Sequence, residues 1–185
     1  MKFFLATTRH TRTQWNDQRR YSGQANPHLD EVGIEQAKAL ADTLDRSCLH
    51  YIYTSDLTRC VQLAEIVGSA LRIPVIKDER LREVDVGAMT GLVKGVVEQT
   101  YPPDRHRTHS IDFDFSDIGG ESADQVLARF DSFFETISCR HLPIVSWGPK
   151  ILIVSHGTSL RRWFWHIGAK WNMPQGTRQN IRFTL

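Results

Sequence analysis

Apolar residues recur along this chain with two periods, and the two periods together predict alternating strands and helices. Short continuous apolar runs at 3–7, 51–54 and 151–154 are typical of buried strands, and Val75-Ile76 indicates a shorter one. Three intervening segments carry apolar residues at helical spacing. Their apolar faces are Ile34, Ala37, Leu40, Ala41 and Leu44; Leu57, Cys60, Val61, Ala64 and Leu71; and Val126, Leu127, Phe130, Phe133, Phe134 and Ile137. This alternation predicts an α/β fold, a three-layer sandwich with a mostly parallel central sheet.

Cap residues indicate where the helices begin. Asp30 can cap the first helix, and Ser122 with Gln125 has the spacing of a capping box at the start of the third. A further helix is expected from about Thr158, and Arg182–Leu185 is expected to form an edge strand.

The length and composition of the chain are those of one globular domain. Its 185 residues, 41% hydrophobic and 24% charged, are enough for one substantial core. We find no repeat, low-complexity tract or linker, so we expect a single domain over 1–185. The proline- and glycine-containing stretch 101–120 predicts a surface loop.

Charge and cysteine content argue against several classes of protein. The net charge of +2 is too small to indicate nucleic acid or a membrane surface, and no apolar run has membrane-spanning length. Charged residues follow the apolar N-terminus too soon for a signal-peptide core. The odd number of scattered cysteines favours small, buried, reduced thiols; they are Cys48, Cys60 and Cys139. We therefore expect a cytoplasmic protein with no nucleic-acid or membrane partner, and its oligomeric state stays open.

Two of the predicted strands end at a histidine, which suggests where a ligand binds. His10 follows the first strand and His156 follows the strand at 151–154. In open α/β sheets, ligands bind beyond the carboxyl ends of the strands. We expect the two histidines to meet there.

The residues near these histidines suit phosphoryl transfer through a nucleophile of the protein. Such a reaction needs a neutral nucleophile, cations around the phosphoryl oxygens and an acid for the departing oxygen. Arg9 adjoins His10, Arg59 lies near the start of a helix, and His156 begins another. Nearby arginines should lower the pKa of His10 and keep its ring neutral. Glu83 is a candidate acid.

Six blocks of sequence, in order, resemble the landmarks of one enzyme family. The first, Arg9-His10-Thr11-Arg12-Thr13-Gln14-Trp15-Asn16, resembles the Arg-His-Gly-x-Thr-x-x-Asn signature of the histidine phosphatase superfamily, phosphoglycerate mutase-like branch. The second block, 21–24 with 29–37, resembles the family's next block, and 55–64 resembles its arginine-bearing helix start. The segment 81–87 resembles the family's acid-bearing loop, 120–122 resembles a further landmark, and 154–157 resembles the second histidine.

The resemblance implies a role for each catalytic candidate. His10 would form a phosphohistidine, Glu83 would donate the proton, and Arg9, Arg59 and His156 would clamp the phosphate. The implied activity is hydrolysis of a small phosphate monoester.

The resemblance also implies the surroundings of that reaction. Asn16, Ser22 and Gly23 would line the substrate side, and no metal or organic cofactor is implied. The implied fold is a phosphoglycerate mutase-like, mainly parallel sheet between helices.

One departure from the family signature keeps a non-enzymatic alternative open. Thr11 stands where the signature has glycine. If that position needs a positive φ, the β-branched residue is strained and the pocket is distorted. The chain could then be a catalytically weak relative that binds a phosphorylated ligand.

A phosphoglycerate mutase-type phosphotransferase is a second alternative. A mutase must shield its phosphohistidine from water, which requires a cover over the site. Only about 30 residues separate Gly91 from Glu121, and the sequence ends at Leu185. This favours a phosphatase.

Two further classes have weaker support. A metal hydrolase would depend on His106 and His109, which have no acidic or cysteine partner at ligand spacing. A nucleic-acid binder would depend on the short Arg-Arg-Trp-Phe-Trp stretch 161–165, which is more typical of a half-buried helix face.

Overall fold

A five-stranded sheet forms the centre of the fold. The computed structural model describes residues 2–102, 111–141, 150–170 and 178–184. The strands are β1 (Lys2–Arg9), β2 (Tyr51–Thr54), β3 (Val75–Lys77), β4 (Lys150–Ser155) and β5 (Arg178–Thr184), in the order β3-β2-β4-β1-β5. The first four strands are parallel to one another, and β5 is antiparallel to β1. The predicted strands are confirmed, although the edge strand begins at Arg178, earlier than expected.

Helices connect these strands, and their predicted caps are confirmed. The helices are α1 (Gln14–Asp17), α2 (Glu31–Asp42), α3 (Thr58–Leu71), α4 (Lys94–Thr100), α5 (Ala123–His141) and α6 (Gly157–His166). At the start of α2, Asp30 Oδ1 accepts a hydrogen bond from Gly33 N at 2.8 Å. Before α5, Ser122 N donates to Gln125 Oε1 and Gln125 N donates to Ser122 Oγ.

Alternate residues of β4 belong to two separate cores. Ile151 and Ile153 pack with residues of α5 and α6, whereas Leu152 and Val154 pack with residues of α2 and α3. Successive side chains of a strand point to opposite faces of its sheet. The sheet therefore lies between an α2–α3 layer and an α5–α6 layer, which confirms the three-layer α/β sandwich.

Aromatic side chains fill the α5–α6 layer. Phe134 of α5 stacks on Trp163 of α6, with ring centroids 4.1 Å apart and planes inclined by 14°. Phe130 and Phe133 are fully buried beside them. On the same helix as Trp163, Trp165 is 62% exposed. Thus α6 has one buried and one exposed face, as expected for the stretch 161–165.

The part of the expected surface loop 101–120 that the structure describes is a loop, but two of its side chains are buried. Phe113 and Phe115 are buried and stacked, with ring centroids 5.5 Å apart, and a 3-10 turn follows at Ser116–Ile118. The two rings alternate with acidic residues, a pattern that turns both rings inward while the carboxylates face outward. The local prolines and glycines obscured this alternation.

The cysteines differ in burial. Cys60 is buried, as expected, whereas Cys139 is exposed on α5, so a uniformly buried set is wrong. The side chain of Cys48 lies outside the described part of the chain. Where the structure is described, none of the helices is both long and apolar enough to span a membrane.

Candidate active site

The two histidines predicted from the sequence lie together at one edge of the sheet. Arg9, the last residue of β1, is level with Ser155, the last residue of β4. Because these strands are adjacent and parallel, His10 and His156 leave the sheet side by side. Their ring centroids are 5.4 Å apart.

The His10 ring is held by a hydrogen bond to the adjoining backbone. Its Nδ1 lies 2.8 Å from the carbonyl oxygen of Thr11. A carbonyl can only accept a hydrogen bond, so Nδ1 carries the proton of the neutral ring. The lone pair available for attack is therefore on Nε2.

The surroundings of His10 favour its neutral form. Burial holds the pKa of His10 well below its usual value, and the positive charges of Arg59 and Arg9 lower it further. The hydrogen bond to the Thr11 carbonyl acts in the opposite direction and is the weakest of these effects. The predicted effect of the arginines is thus present, although burial is the larger cause.

Arg9 packs against the first residue of α6. A Cβ atom on Gly157 would lie 3.1 Å from Arg9 Nε, so a larger residue there would push the guanidinium away. Burial lowers the pKa of Arg9, and the negative charge of Glu83 opposes this effect. A guanidinium nevertheless stays charged at neutral pH.

Arg59 is fixed by the loop that precedes α2. Its Nη2 donates to the carbonyl of Gly23 at 2.8 Å, and its Nη1 donates to the carbonyl of Ala25. Gly23 has φ +45°, and a Cβ atom there would lie 2.9 Å from a methyl group of Val86. This glycine is therefore required by its backbone conformation and its neighbour, and its carbonyl joins Arg59 to the residues expected on the substrate side.

Glu83 is held at the beginning of α6. Its Oε1 accepts hydrogen bonds from Ser159 N, Ser159 Oγ and Val84 N, each at 3.0 Å, and its Oε2 accepts one from Thr158 N at 3.2 Å. The first amide groups of a helix have no partner within the helix and favour a negative charge. The carboxyl group is thereby fixed on the same side of the site as Gly157.

A half-buried ion pair that the sequence did not reveal holds the backbone of the Glu83 loop. Arg129 of α5 pairs with Glu121, with Nε and Oε1 3.0 Å apart. The same guanidinium donates to the carbonyls of Arg80, Arg82 and Glu83. The resemblance marked Glu121 as a landmark, but nothing in the local sequence pattern indicated Arg129.

His156 lies behind the reactive edge. It is fully buried, and its Nε2 is 2.9 Å from Ser55 Oγ and 3.4 Å from Cys60 Sγ. Burial holds the pKa of His156 well below its usual value, and Arg59 is the next largest cause. Burial also raises the pKa of the Cys60 thiol, which therefore stays protonated. The contact of His156 with phosphate stays a prediction; in the described structure its ring lies against His10, Ser55 and Cys60.

A cavity of about 140 Å³ opens over His10. Arg9, Arg59 and Glu83 line it, together with the residues expected on the substrate side. The latter are Asn16, Ser22 and Gly23. The structure thus brings together every predicted site residue except His156 around one cavity.

Three further cations line the cavity, and only one of them had a signal in the sequence. Arg161 lies one helical turn after Gly157 and so shares its face of α6. Arg20 and Lys94 reach the site because Arg20 forms a β-bridge with Val93, which joins two segments far apart in sequence.

The strain considered for Thr11 is absent. Among the described non-glycine residues, only Arg19 and Arg72 have a positive φ. Thr11 is fully buried with an ordinary backbone conformation, and its carbonyl binds the His10 ring. The proposed distortion of the pocket by Thr11 is therefore wrong.

Within the described ranges, no three His, Cys, Asp or Glu side chains are grouped as metal ligands. His106 and His109, considered above for a metal hydrolase, lie outside those ranges.

Comparisons with known proteins support one family. A phosphoserine phosphatase from Hydrogenobacter thermophilus is 35% identical over 161 residues, which are 85% of this chain and 72% of that protein. A 2,3-bisphosphoglycerate-dependent phosphoglycerate mutase from Methylobacterium is 32% identical over 167 residues, 87% of this chain and 78% of that protein.

A solved structure has the same fold. The mycobacterial glucosyl-3-phosphoglycerate phosphatase in complex with VO3 superimposes with a TM-score of 0.82 at 24% identity, covering 96% of this chain and 90% of that one. The model of the histidine phosphatase superfamily (branch 1) matches residues 5–182. The family expected from the six sequence blocks is confirmed: this chain belongs to the histidine phosphatase superfamily.

Proposed function

We propose that this protein is a phosphatase that hydrolyses a small phosphate monoester through a phosphohistidine on His10. One observation carries the proposal: a neutral, buried imidazole whose Nδ1 donates to the carbonyl of Thr11 lines a cavity beside two arginines. This arrangement leaves Nε2 as the nucleophile. It also holds the ring at one angle, as attack in line with the departing oxygen requires.

In the first step, His10 Nε2 attacks phosphorus and the bond from phosphorus to the ester oxygen breaks. The departing oxygen takes a proton from Glu83, so the alcohol leaves neutral. Arg9 and Arg59 stabilise the negative charge on the phosphoryl oxygens. The Thr11 carbonyl is well placed to stabilise the positive charge on the phosphorylated ring through the Nδ1 proton.

Glu83 must be protonated before it can act as the acid. In the described state its oxygens accept four hydrogen bonds, the pattern of a carboxylate. A substrate that binds as the monoanion carries the proton that Glu83 passes to the departing oxygen. In the second step the carboxylate takes a proton from water, and the resulting oxygen attacks phosphorus and releases His10.

The size and charge of the cavity support a small anionic substrate. Its volume of about 140 Å³ suffices for a phosphate group and a few further atoms, well below a typical ligand pocket of about 300–1,000 Å³. Five cationic side chains and one carboxylate line it. These cations supply the charge that a metal provides in other phosphatases, so we expect neither a metal nor an organic cofactor to be required.

A mutase is the second candidate, because a relative of similar identity carries that name. Hydrolysis is favoured by the short interval from Gly91 to Glu121, which leaves about 30 residues to cover the phosphohistidine.

We expect His10→Ala to reduce turnover to background. Glu83→Gln should slow the hydrolysis of an alkyl phosphate by about 10²–10⁴-fold, since the departing alkoxide needs a proton. An aryl phosphate should be slowed much less, because its leaving group is stable as an anion. Steady-state rates on one substrate of each type measure this. Glu79→Gln, which changes an exposed carboxyl in the same segment, is the matched control and should retain activity. Substantial turnover by His10→Ala would rule out the phosphohistidine.

The protonation state of His10 predicts how stability depends on pH. Its folded pKa is below the unfolded value of about 6.5, so below that pH the unfolded chain binds protons that the folded chain does not. The free energy of unfolding should therefore fall as the pH falls below about 6.5. Urea titrations from pH 7.5 to 5 measure this free energy. In His10→Asn its slope against pH should be shallower than in the parent protein, by up to about 1.4 kcal/mol per pH unit. His28→Asn, at an exposed histidine, should retain the parent slope. Equal slopes in all three proteins would contradict a buried neutral His10.

Prolonged chelation should leave activity unchanged, because Arg9 and Arg59 already supply the positive charge. Vanadate should inhibit, since it can adopt the five-coordinate geometry of phosphorus in the transition state. Phosphate release is measured before and after dialysis against a chelator. Activity lost on chelation and restored by zinc or magnesium would overturn the proposed mechanism.

Transfer to water should exceed transfer to a second substrate oxygen. With 3-phosphoglycerate and a bisphosphoglycerate primer, phosphate released should outweigh 2-phosphoglycerate formed. Both products are quantified in one reaction. Isomerisation that outpaces hydrolysis about tenfold would instead establish the mutase.

A further inference from the structure

A second, larger pocket adjoins the proposed phosphate site. It has a volume of about 620 Å³ and is lined by Ile111, Arg161, Trp165, Gly168, Ala169 and Lys170. Arg161 also lines the cavity over His10, so one side chain borders both spaces. The cavity over His10 is too small for more than a phosphate and a short attachment, whereas this second pocket can hold a ring.

Helix α6 connects the two spaces along one face. Gly157, Arg161 and Trp165 occur at intervals of four residues, so their side-chain positions follow one another up the helix. At a rise of about 1.5 Å per residue, Trp165 lies about 12 Å along the axis from Gly157. Side chains of a helix lean toward its N-terminus, so the indole is closer to the phosphate site than this axial separation, and a linker from a phosphate over His10 would lead toward it along this face.

The end of α6 forms the far wall of the pocket. Gly168 has φ +67°, and Ala169 N donates back to the carbonyl of Phe164 at 2.8 Å. This left-handed turn reverses the chain after the helix. As a result, Ala169 and Lys170 return beside Trp165 and enclose a pocket that an extended chain would leave open.

The exposure of Trp165 points to a ligand with an aromatic ring. It is 62% exposed, more than any other large hydrophobic side chain in the described residues. An indole that lines a pocket beside an active site offers a flat face on which another ring can stack. The rest of the lining is mostly small or apolar, with cationic groups from Arg161 and Lys170.

We propose that the leaving group of the substrate carries an aromatic ring, and that this ring binds against Trp165 in the pocket at the end of α6. The inference rests on the phosphatase activity proposed above and specifies its substrate: a phosphate monoester whose ring is separated from the ester oxygen by a short linker. Trp165 is a specificity residue and takes no part in bond breaking.

The test compares two substrates with the same leaving oxygen. Butyl phosphate and 4-phenylbutyl phosphate both release a primary alcohol, so a difference between them reports on the ring alone. We expect kcat/KM to be about tenfold higher for the phenyl compound. Trp165→Ala should reduce that ratio about fivefold through KM, and Trp165→Phe should retain most of it. Val96→Ala, at an exposed hydrophobic residue of α4, is the control and should retain the full ratio.

Binding of the corresponding phosphonates separates this inference from the proposed reaction. Butyl- and 4-phenylbutylphosphonate cannot be hydrolysed, and calorimetry gives their affinities without turnover. Tighter binding of the phenyl compound that is lost in Trp165→Ala supports the ring site even if neither ester is hydrolysed, an outcome that would reject only the phosphatase.

Three results would overturn the ring site. The first is that Trp165→Ala hydrolyses both esters with an unchanged ratio of kcat/KM. The second is that the two phosphonates bind with equal affinity, and the third is that neither phosphonate binds. A change of oligomeric state in Trp165→Ala by sedimentation, with an unchanged substrate ratio, would assign this surface to contact between copies of the chain. Urea titration of each variant shows whether it is folded.

Discussion

The site depends on parallel strands that end level at one edge of the sheet. Because Arg9 of β1 pairs with Ser155 of β4, the two histidines that follow emerge side by side. A slip of one residue would exchange the faces of β4 and move Ile151 and Ile153 out of the aromatic core. The packing of the two cores and the position of His10 are therefore consequences of the same pairing.

The electrostatics of the candidate site follow from the burial of its charged side chains. Arg9 and Arg59 are removed from water beside one another, with Glu83 as the carboxylate in the cavity. Buried cations close together are unfavourable unless an anion joins them. The same repulsion that lowers the pKa of His10 therefore favours binding of a phosphate dianion. A bound anion should in turn stabilise the folded chain.

Most of the strands and helices could be predicted from the spacing of apolar residues along the chain. The strands, the helix faces and the caps at Asp30 and Ser122 depend on neighbours a few residues apart, so the local pattern predicted them. The sheet order depends on distant packing, which no local rule specifies. The inward position of Phe113 and Phe115 had a local signal, their alternation with acidic residues, but the prolines and glycines nearby obscured it.

The site residues that the sequence predicted are those that follow a strand or begin a helix. His10 and His156 had that signal, and Arg161 had the helical spacing from Gly157. Arg20 and Lys94 had none, because a single β-bridge between remote segments brings them to the cavity. His156 lies behind the cavity with a hydrogen bond to Ser55, the residue that follows β2, and sequence spacing does not reveal this partner.

The hydrogen bonds from Arg129 to the Glu83 loop affect which positions of this sequence can vary. Its guanidinium binds main-chain carbonyls, which every amino acid possesses, at positions 80, 82 and 83. These three bonds therefore do not depend on which side chains stand at 80, 82 and 83, although Arg82 adds a bond of its own to Asp56. Arg129 itself has no such freedom, because lysine lacks the planar fork that reaches several acceptors at once. A helix residue that does not line the cavity thus sets the position of the Glu83 backbone.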